Sequence, residues 1–409
     1  MKRILTTWLI FLGIAMTNCL SAQTESSIRL NDNWKFLRSD LGGIWEAVRP
    51  VKEGNPESVP LWQNVTLPHC FNATDAVDPD VNYYQGPGWY TNRIDIKNPY
   101  PGGRTILHFE GAGQKSEVYV YLTKVGTHVG GYNEWSVDIT DAVGKFLQDK
   151  TIASSFNGKI PLSIRCDNSR DLEMIPSSLS DFNVYGGIYR YLNLVYVPAI
   201  SIEELHINAV VDAKGAEGKL DLNLKFRNPS AESKVKLKIV INDPAGKLLA
   251  EKSLESATGQ EEKQIFTYAV KNPLLWSPDQ PNLYSCNVTI EATSGQQTVT
   301  EKFGFRNFEF VEKGPFMLNG NRLLLRGTHR HEDHAGVAAA MTEEMIRTEM
   351  KMMKEMGVNF IRLGHYQQSR IVLNLCDSLG IMVWERSPGA VADSVAKRKN
   401  HKPATCFLT

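Results

Sequence analysis

From about Ser27 to Ile200 apolar and polar residues alternate with period two. The runs "RTILHFEGA", "SEVYVYLTKVG", "IPLSIRC" and "RYLNLVYV" each turn one side of an extended chain toward a core. Gly86-Pro87-Gly88, Pro101-Gly102-Gly103, Gly130-Gly131 and Gly186-Gly187 punctuate them as turns. No stretch of this region carries the pattern of a helix longer than two turns, so an antiparallel sandwich is predicted. From Ser201 to Arg306 comes a plainer run: "KLDLNLKFRN", "KVKLKIVIND", "KQIFTYAV" and "LYSCNVTIEA". Turns at about ten-residue spacing suit an immunoglobulin-like sandwich of roughly 100 residues. Its exposed faces mix Lys and Glu and suggest a spacer.

After Gly314 the period changes. "RLLLRGTHRH" reads as a strand entering a polar loop and "TEEMIRTEMKMMKEMG" as a helix. Thr342 is its cap, Glu343 and Glu344 suit the positive end, and Gly357 is the stop. Ile346, Met350 and Met353 form its apolar stripe, with Met345, Met352 and Met356 beside it, which reads as core packing. "NFIRLG" is a second strand, "SRIVLNLCDSLG" a second helix ending at Gly380, and "IMVWE" a third strand. Strand–helix alternation implies parallel βαβ units. An eight-fold barrel of this kind needs about 250 residues, and about 80 precede the point, after Glu385, where the pattern is lost.

Composition narrows the classes. The 45 basic and 45 acidic residues cancel, which argues against a nucleic-acid partner. "MKRILTTWLIFLGIAMTNCLSAQ" places Lys2 and Arg3 before an apolar stretch from Ile4 to Met16 and small residues at Ser21 and Ala22. It reads as a signal peptide over residues 1–22, so the chain is expected to be exported, periplasmic or secreted; a lipoprotein cut before Cys19 is the less favoured form. The apolar stretch falls short of the roughly 20 residues of a span, and no membrane span is expected. Of six Cys, the five beyond Cys19 are widely separated, so buried single thiols are expected rather than a disulfide framework. The three His of "THRHEDH" lack the spacing of a helical zinc motif, and no metal is demanded by the sequence.

In parallel barrels the reacting groups sit just past the strand ends. That rule selects His329, Arg330, His331 and Glu332 after the first strand, His365 and Tyr366 after the second, and Glu385 after the third. Here the chain resembles glycoside hydrolase family 2, the β-galactosidase and β-glucuronidase family. "RGTHRHEDHAG" resembles that family's "RG-x-NRHE/D" loop, "NFIRLGHYQQS" its "N-x-x-R-x-x-HYP" loop, and "DFNVYGGIYR" the "GGIYR" turn of its sugar-binding domain. "NPLLWSPDQPNLY" and then "FGFRNFEF" resemble the passage closing its immunoglobulin-like domain, and "LPHCFN" and "YYQGPGWY" match early positions. The ordered set, from about Asn31 to Glu385, carries the resemblance. Thr328-His329 and Gln367 depart from the family pattern.

The resemblance implies three domains: a jelly-roll-like sugar-binding β-sandwich over residues 23–199, an immunoglobulin-like β-sandwich over 200–306, and an incomplete (β/α)8 TIM barrel of about three strands over 307–385. It implies a β-galactosidase-like retaining exo-glycosidase acting on a β-linked oligosaccharide or glycoside, with β-glucuronidase-type specificity or a non-catalytic carbohydrate-binding fragment as alternatives. Asp181, His331 and His365 would contact the sugar, although Asp181 could equally cap its own turn. A retaining enzyme needs two carboxylates about 5–5.5 Å apart; in the family both are Glu on later barrel strands, so both are expected to be missing and no catalytic residue is assigned. No cofactor is evident; a divalent cation and a homo-oligomer belong to what the resemblance allows for full-length members. The last stretch, residues 386–409, is expected to be out of frame. With one base inserted after a Glu385 codon, a plausible codon choice reads "EEIPWCRGGLGGE", similar to the residues after "VWE" in family members. A three-stranded barrel segment would leave open parallel edges and is expected to be unstable or sticky.

Overall fold

A computed structural model describes residues 26–49, 62–172, 174, 180, 182–227, 234–259 and 261–385. The signal-peptide reading, Asp181, Cys406 and the altered tail lie outside them.

The first β region is two packed antiparallel sheets. A four-stranded sheet runs in the order Ser26–Arg29, Leu192–Val197, Arg104–Phe109, Trp135–Asp138. A six-stranded sheet runs Gln63–Val65, Trp34–Leu37, Pro87–Ile94, Ile160–Asp167, Lys115–Val120, Thr123–Val129. Period-two patterning works as expected: Val118 and Val120 point inward with Leu162 and Ile164, and the core centres on Trp34, Tyr90, Leu107 and Phe109. One helix exceeds the prediction. Thr140–Gln148 is nine residues long, because Val143 and Phe146, three positions apart, bury on one face against the same core.

The second region is a three-stranded sheet, Ser201–Val211, Glu217–Arg227 and Lys263–Lys271, over a four-stranded one, Leu248–Ala257, Lys234–Asn242, Tyr284–Ala292 and Gly295–Phe303. Strict alternation puts Leu220, Leu222, Leu224, Leu237, Ile239 and Ile241 in its core. A small antiparallel hairpin sheet, Phe308–Phe310, Phe316–Leu318 and Asn321–Arg322, then leads into the third region. The pattern did not reveal it, since its side chains are largely exposed.

The third region is three parallel strands, Gly327–Arg330, Phe360–Leu363 and Met382–Glu385, in register from Gly327↔Phe360 to Leu363↔Glu385. The helices Glu343–Glu355 and Arg370–Leu379 connect them. The Thr342 hydroxyl accepts from the Met345 N–H at 3.3 Å, and Gly357 and Gly380 take positive φ after the two helices. Ile346 and Met350 are buried against Ile361, Leu363 and Val372, while Met352 and Met356 are 57% and 78% exposed. The stripe is thus core, with Met345 and Met353 partly buried against it and Met352 and Met356 on the surface.

The second and third regions are joined by "LWSP". Trp276, buried with Leu318 and Met382, donates its Nε1–H to the Asp377 carbonyl at 2.8 Å. Gly380 (φ +70°) lies so close to Pro278 that an added Cβ would sit 2.4 Å from its carbonyl oxygen. Cys70, Cys166, Cys286 and Cys376 are buried and unpaired as disulfides, as the spacing suggested. Among the described residues no helix is long and apolar enough to cross a membrane.

Candidate functional site

Parallel pairing sets the ends of the three barrel strands side by side. Leaving the first strand, the chain presents His331, Glu332 and Asp333; leaving the second, His365, Tyr366 and Gln367; the third ends at Glu385. The first region supplies the facing wall: Tyr132, Phe182, Tyr185 and Arg190.

Arg190, the last residue of "GGIYR", ties the two walls together. It is 5% exposed and all five of its N–H donors are used. Nε donates to Glu332 Oε1 at 2.9 Å and Nη2 to Glu332 Oε2 at 3.2 Å. Nη2 also donates to the Gln367 carbonyl at 2.8 Å, and Nη1 to the carbonyls of Tyr132 (2.7 Å) and Glu110 (3.3 Å). Burial works against its charge, but the Glu332 carboxylate outweighs that and raises its pKa. Glu332 also accepts from the Ser369 N–H at 2.9 Å, and its own N–H donates to Tyr366 Oη at 3.0 Å. The loops bearing His331 and His365 are therefore pinned on either side by one guanidinium.

Aromatic stacking continues the seam. Tyr132 lies on Tyr366 with ring centroids 3.8 Å apart, and Phe182 lies parallel to His365 at 5.6 Å. Tyr185 donates its hydroxyl to Asp333 at 2.9 Å. Burial raises the pKa of Tyr132, Tyr185 and Tyr366, so these phenols stay protonated; Tyr185 and Tyr366 serve as hydrogen-bonding groups and Tyr132 as a stacking face rather than as bases. Burial also raises Glu385, against the Gln368 N–H it accepts at 2.9 Å.

The imidazoles of His329, His331 and His365 gather at the mouth, with ring centroids 5.2–5.3 Å apart. Arg362 donates to His329 Nε2 at 2.8 Å and to His365 Nδ1 at 3.2 Å. Gly364 makes this possible: a Cβ there would lie 2.0 Å from His329 Nε2. Burial, then the neighbouring Arg362 and His331, lowers the His329 pKa.

Of the residues predicted to contact sugar, His331 and His365 come together, with Phe182 at 5.7 Å from the first ring. Asp181, next to Phe182, falls outside the described residues. The sequence places Phe182, Tyr185, Arg190 and Arg362 in motifs without giving them roles, and it gives no hint of Tyr132. The one available signal was an Arg set in an apolar run, "IYRYLNL", which requires a buried partner. A separate cleft of about 880 Å³ opens between the first two regions, with Arg370 of the third at its edge, and neither His331 nor His365 lines it.

The chain matches three models of one family in order: the sugar binding domain of the glycosyl hydrolases family 2 over residues 30–198, the family 2 model itself over 200–306, and the family 2 TIM barrel domain over 310–404. The crystal structure of Parabacteroides merdae β-glucuronidase is similar with a TM-score of 0.86 and 59% identity, covering 88% of this chain and 45% of that one. A β-glucuronidase of Bacteroides fragilis is 28% identical over 404 residues, 95% of this chain and 53% of that protein. A β-galactosidase of Thermoanaerobacterium thermosulfurigenes is 29% identical over 370 residues, 88% of this chain and 48% of that protein. The chain spans about half the length of each of these relatives.

Proposed function

The chain belongs to glycosyl hydrolases family 2, and on that ground we propose that its site recognises a β-linked glucuronide. The family resemblance put galactoside first; the 59% identity to a β-glucuronidase, against 29% to a β-galactosidase, favours the glucuronide alternative. The observation that carries the reading is the joint presentation of His331 and His365 beside Phe182 and Tyr366, on loops fixed by Arg190. Imidazoles supply hydrogen bonds to ring hydroxyls, and the Phe182 face supports the apolar side of a pyranose.

Among the described residues, the carboxylates at the strand ends are already engaged. Glu332 is held by Arg190 and Ser369, Asp333 by Tyr185, and Glu385 by Gln368. A retaining mechanism needs one carboxyl to protonate the leaving oxygen and a second, about 5–5.5 Å away, to attack the anomeric carbon. In this reading these three carboxylates hold the loops rather than react, and the described residues serve recognition. Export of the chain remains part of the same proposal, motivated by the leader-like residues 1–22.

Calorimetry and turnover on nitrophenyl β-glucuronide and β-galactoside test the reading. Glucuronide should bind more tightly than galactoside, weakened by His331→Ala and His365→Ala, with no turnover. Preference for galactoside would overturn the specificity. Measurable hydrolysis would overturn the assignment of the three carboxylates to structure.

A further inference from the structure

The mouth of the site holds a third imidazole, His329, that the saccharide reading does not use. His329, His331 and His365 each offer a ring nitrogen within 4.8 Å of the others. Spacing along "THRHEDH" gave no metal motif because it counted His334, whose Nδ1 pairs instead with the Ala335 carbonyl at 2.9 Å. The third imidazole comes from the neighbouring strand's end, through the parallel pairing of Arg330 with Leu363.

Two of the three rings already present a lone pair to a cation. A guanidinium can only donate, so His329 Nε2 and His365 Nδ1 face Arg362 as unprotonated nitrogens. The guanidinium also has somewhere to go: its Cζ lies 5.9 Å from the Trp384 ring, a face that can receive a cation. Three imidazole donors without an oxygen cage suit borderline dications rather than Mg²⁺ or Ca²⁺. Zinc–nitrogen bonds of about 2.0–2.1 Å would draw the rings together by roughly 1–1.5 Å, within reach of side-chain rotation at loop and strand-end positions.

We propose that His329, His331 and His365 form a binding site for a transition-metal dication of the Zn²⁺ or Co²⁺ class, which displaces the Arg362 guanidinium as it binds. Three protein ligands leave coordination positions open toward the mouth. Because His331 and His365 are shared, metal and saccharide exclude one another; only this corollary rests on the glucuronide reading.

The test uses the tag-free full chain without sugar. Titration with ZnCl₂ monitored by calorimetry, and with CoCl₂ monitored by visible absorption, should show one equivalent with the intense bands of low-coordinate Co²⁺. His329→Ala and His365→Ala should each weaken that equivalent by about tenfold or more, since even the loss of an outer-sphere partner costs this much. Arg362→Met removes a competing positive charge and should tighten binding by about tenfold, a gain that misfolding cannot produce. An equivalent unchanged in both His variants would place the metal on other histidines, and affinity not raised in Arg362→Met would remove the competition; either result overturns the proposal. Metal binding that survives while glucuronide binding is absent would refute only the saccharide reading.

Discussion

Replacing Arg190 by Met tests whether one guanidinium holds the two walls of the site together. Arg190 and Glu332 have side chains 5% and 3% exposed. Removing the cation leaves a buried carboxylate with the Ser369 N–H at 2.9 Å and Arg330 at 3.8 Å as its remaining partners. It also strips donors from the carbonyls of Gln367, Tyr132 and Glu110. Breaking a buried pair in this way costs about 3–5 kcal/mol. Arg190→Lys should recover only part of it, because an ammonium has three donors and cannot form the bidentate contact. The chain has several folded regions, so a global melt does not say where stability is lost; hydrogen exchange of peptides covering 330–334 and 365–369 reads the seam directly. At about 1.4 kcal/mol per tenfold, Arg190→Met should speed exchange there about a hundredfold or more, leaving the core around Leu222 and Ile239 unchanged. A double-mutant cycle with Glu332→Gln should give a coupling energy of about 2 kcal/mol. Wild-type exchange in Arg190→Met, or a coupling within about 0.5 kcal/mol of zero, would refute the reasoning.

Three further outcomes are expected. Gly364→Ala places a Cβ 2.0 Å from His329 Nε2, so the His329–Arg362 contact should break at a cost of about 1–3 kcal/mol, visible as a shifted His329 imidazole resonance and a lower melting temperature. Trp276→Phe deletes the 2.8 Å bond to the Asp377 carbonyl and leaves that acceptor unpaired; about 1–3 kcal/mol should be lost, read as faster exchange at the end of the Arg370–Leu379 helix. Glu134 is penalised by burial, but Arg370 at 2.9 Å outweighs this and holds its pKa below the usual 4.5. A depressed folded value means that its stabilisation is full above pH 4.5 and is lost as pH falls through the folded pKa. Glu134→Gln should therefore flatten the acid limb of the melting temperature below that pH, while an unaltered slope would refute the assignment.

Much of the architecture was legible because it is periodic. Alternation separated the two sandwiches from the parallel segment, and Thr342, Gly357 and Gly380 marked helix ends by chemistry that acts within a few residues. The helix Thr140–Gln148 was missed because its apolar set, Ala142, Val143, Phe146 and Leu147, spans only six residues between strands. The hairpin Phe308–Arg322 was missed because its residues are largely exposed. The site was half legible. His331, Glu332 and His365 come from the rule of strand ends, but the pairing of Glu332 with Arg190, 142 positions earlier, does not. No local pattern reports that a lone buried charge and its counter-ion will meet. His329 likewise acquires meaning only when parallel pairing sets it beside Arg362.

That separation of 142 positions also orders events in time. A chain emerging from its N-terminus completes the first sandwich, with the Tyr132 and Glu110 carbonyls in place, before Glu332 exists. Three of Arg190's five bonds must wait for it, the two to Glu332 and the one to Gln367. Until then the guanidinium keeps its water, and the sandwich carries a wet, half-paired edge. Loop closure over such a distance grows only logarithmically, by about 0.6 kcal/mol per doubling, so the separation itself adds little to the cost of the pairing. The loops bearing His331 and His365 can take their final shape only once that arginine has shed its water against Glu332 and Gln367.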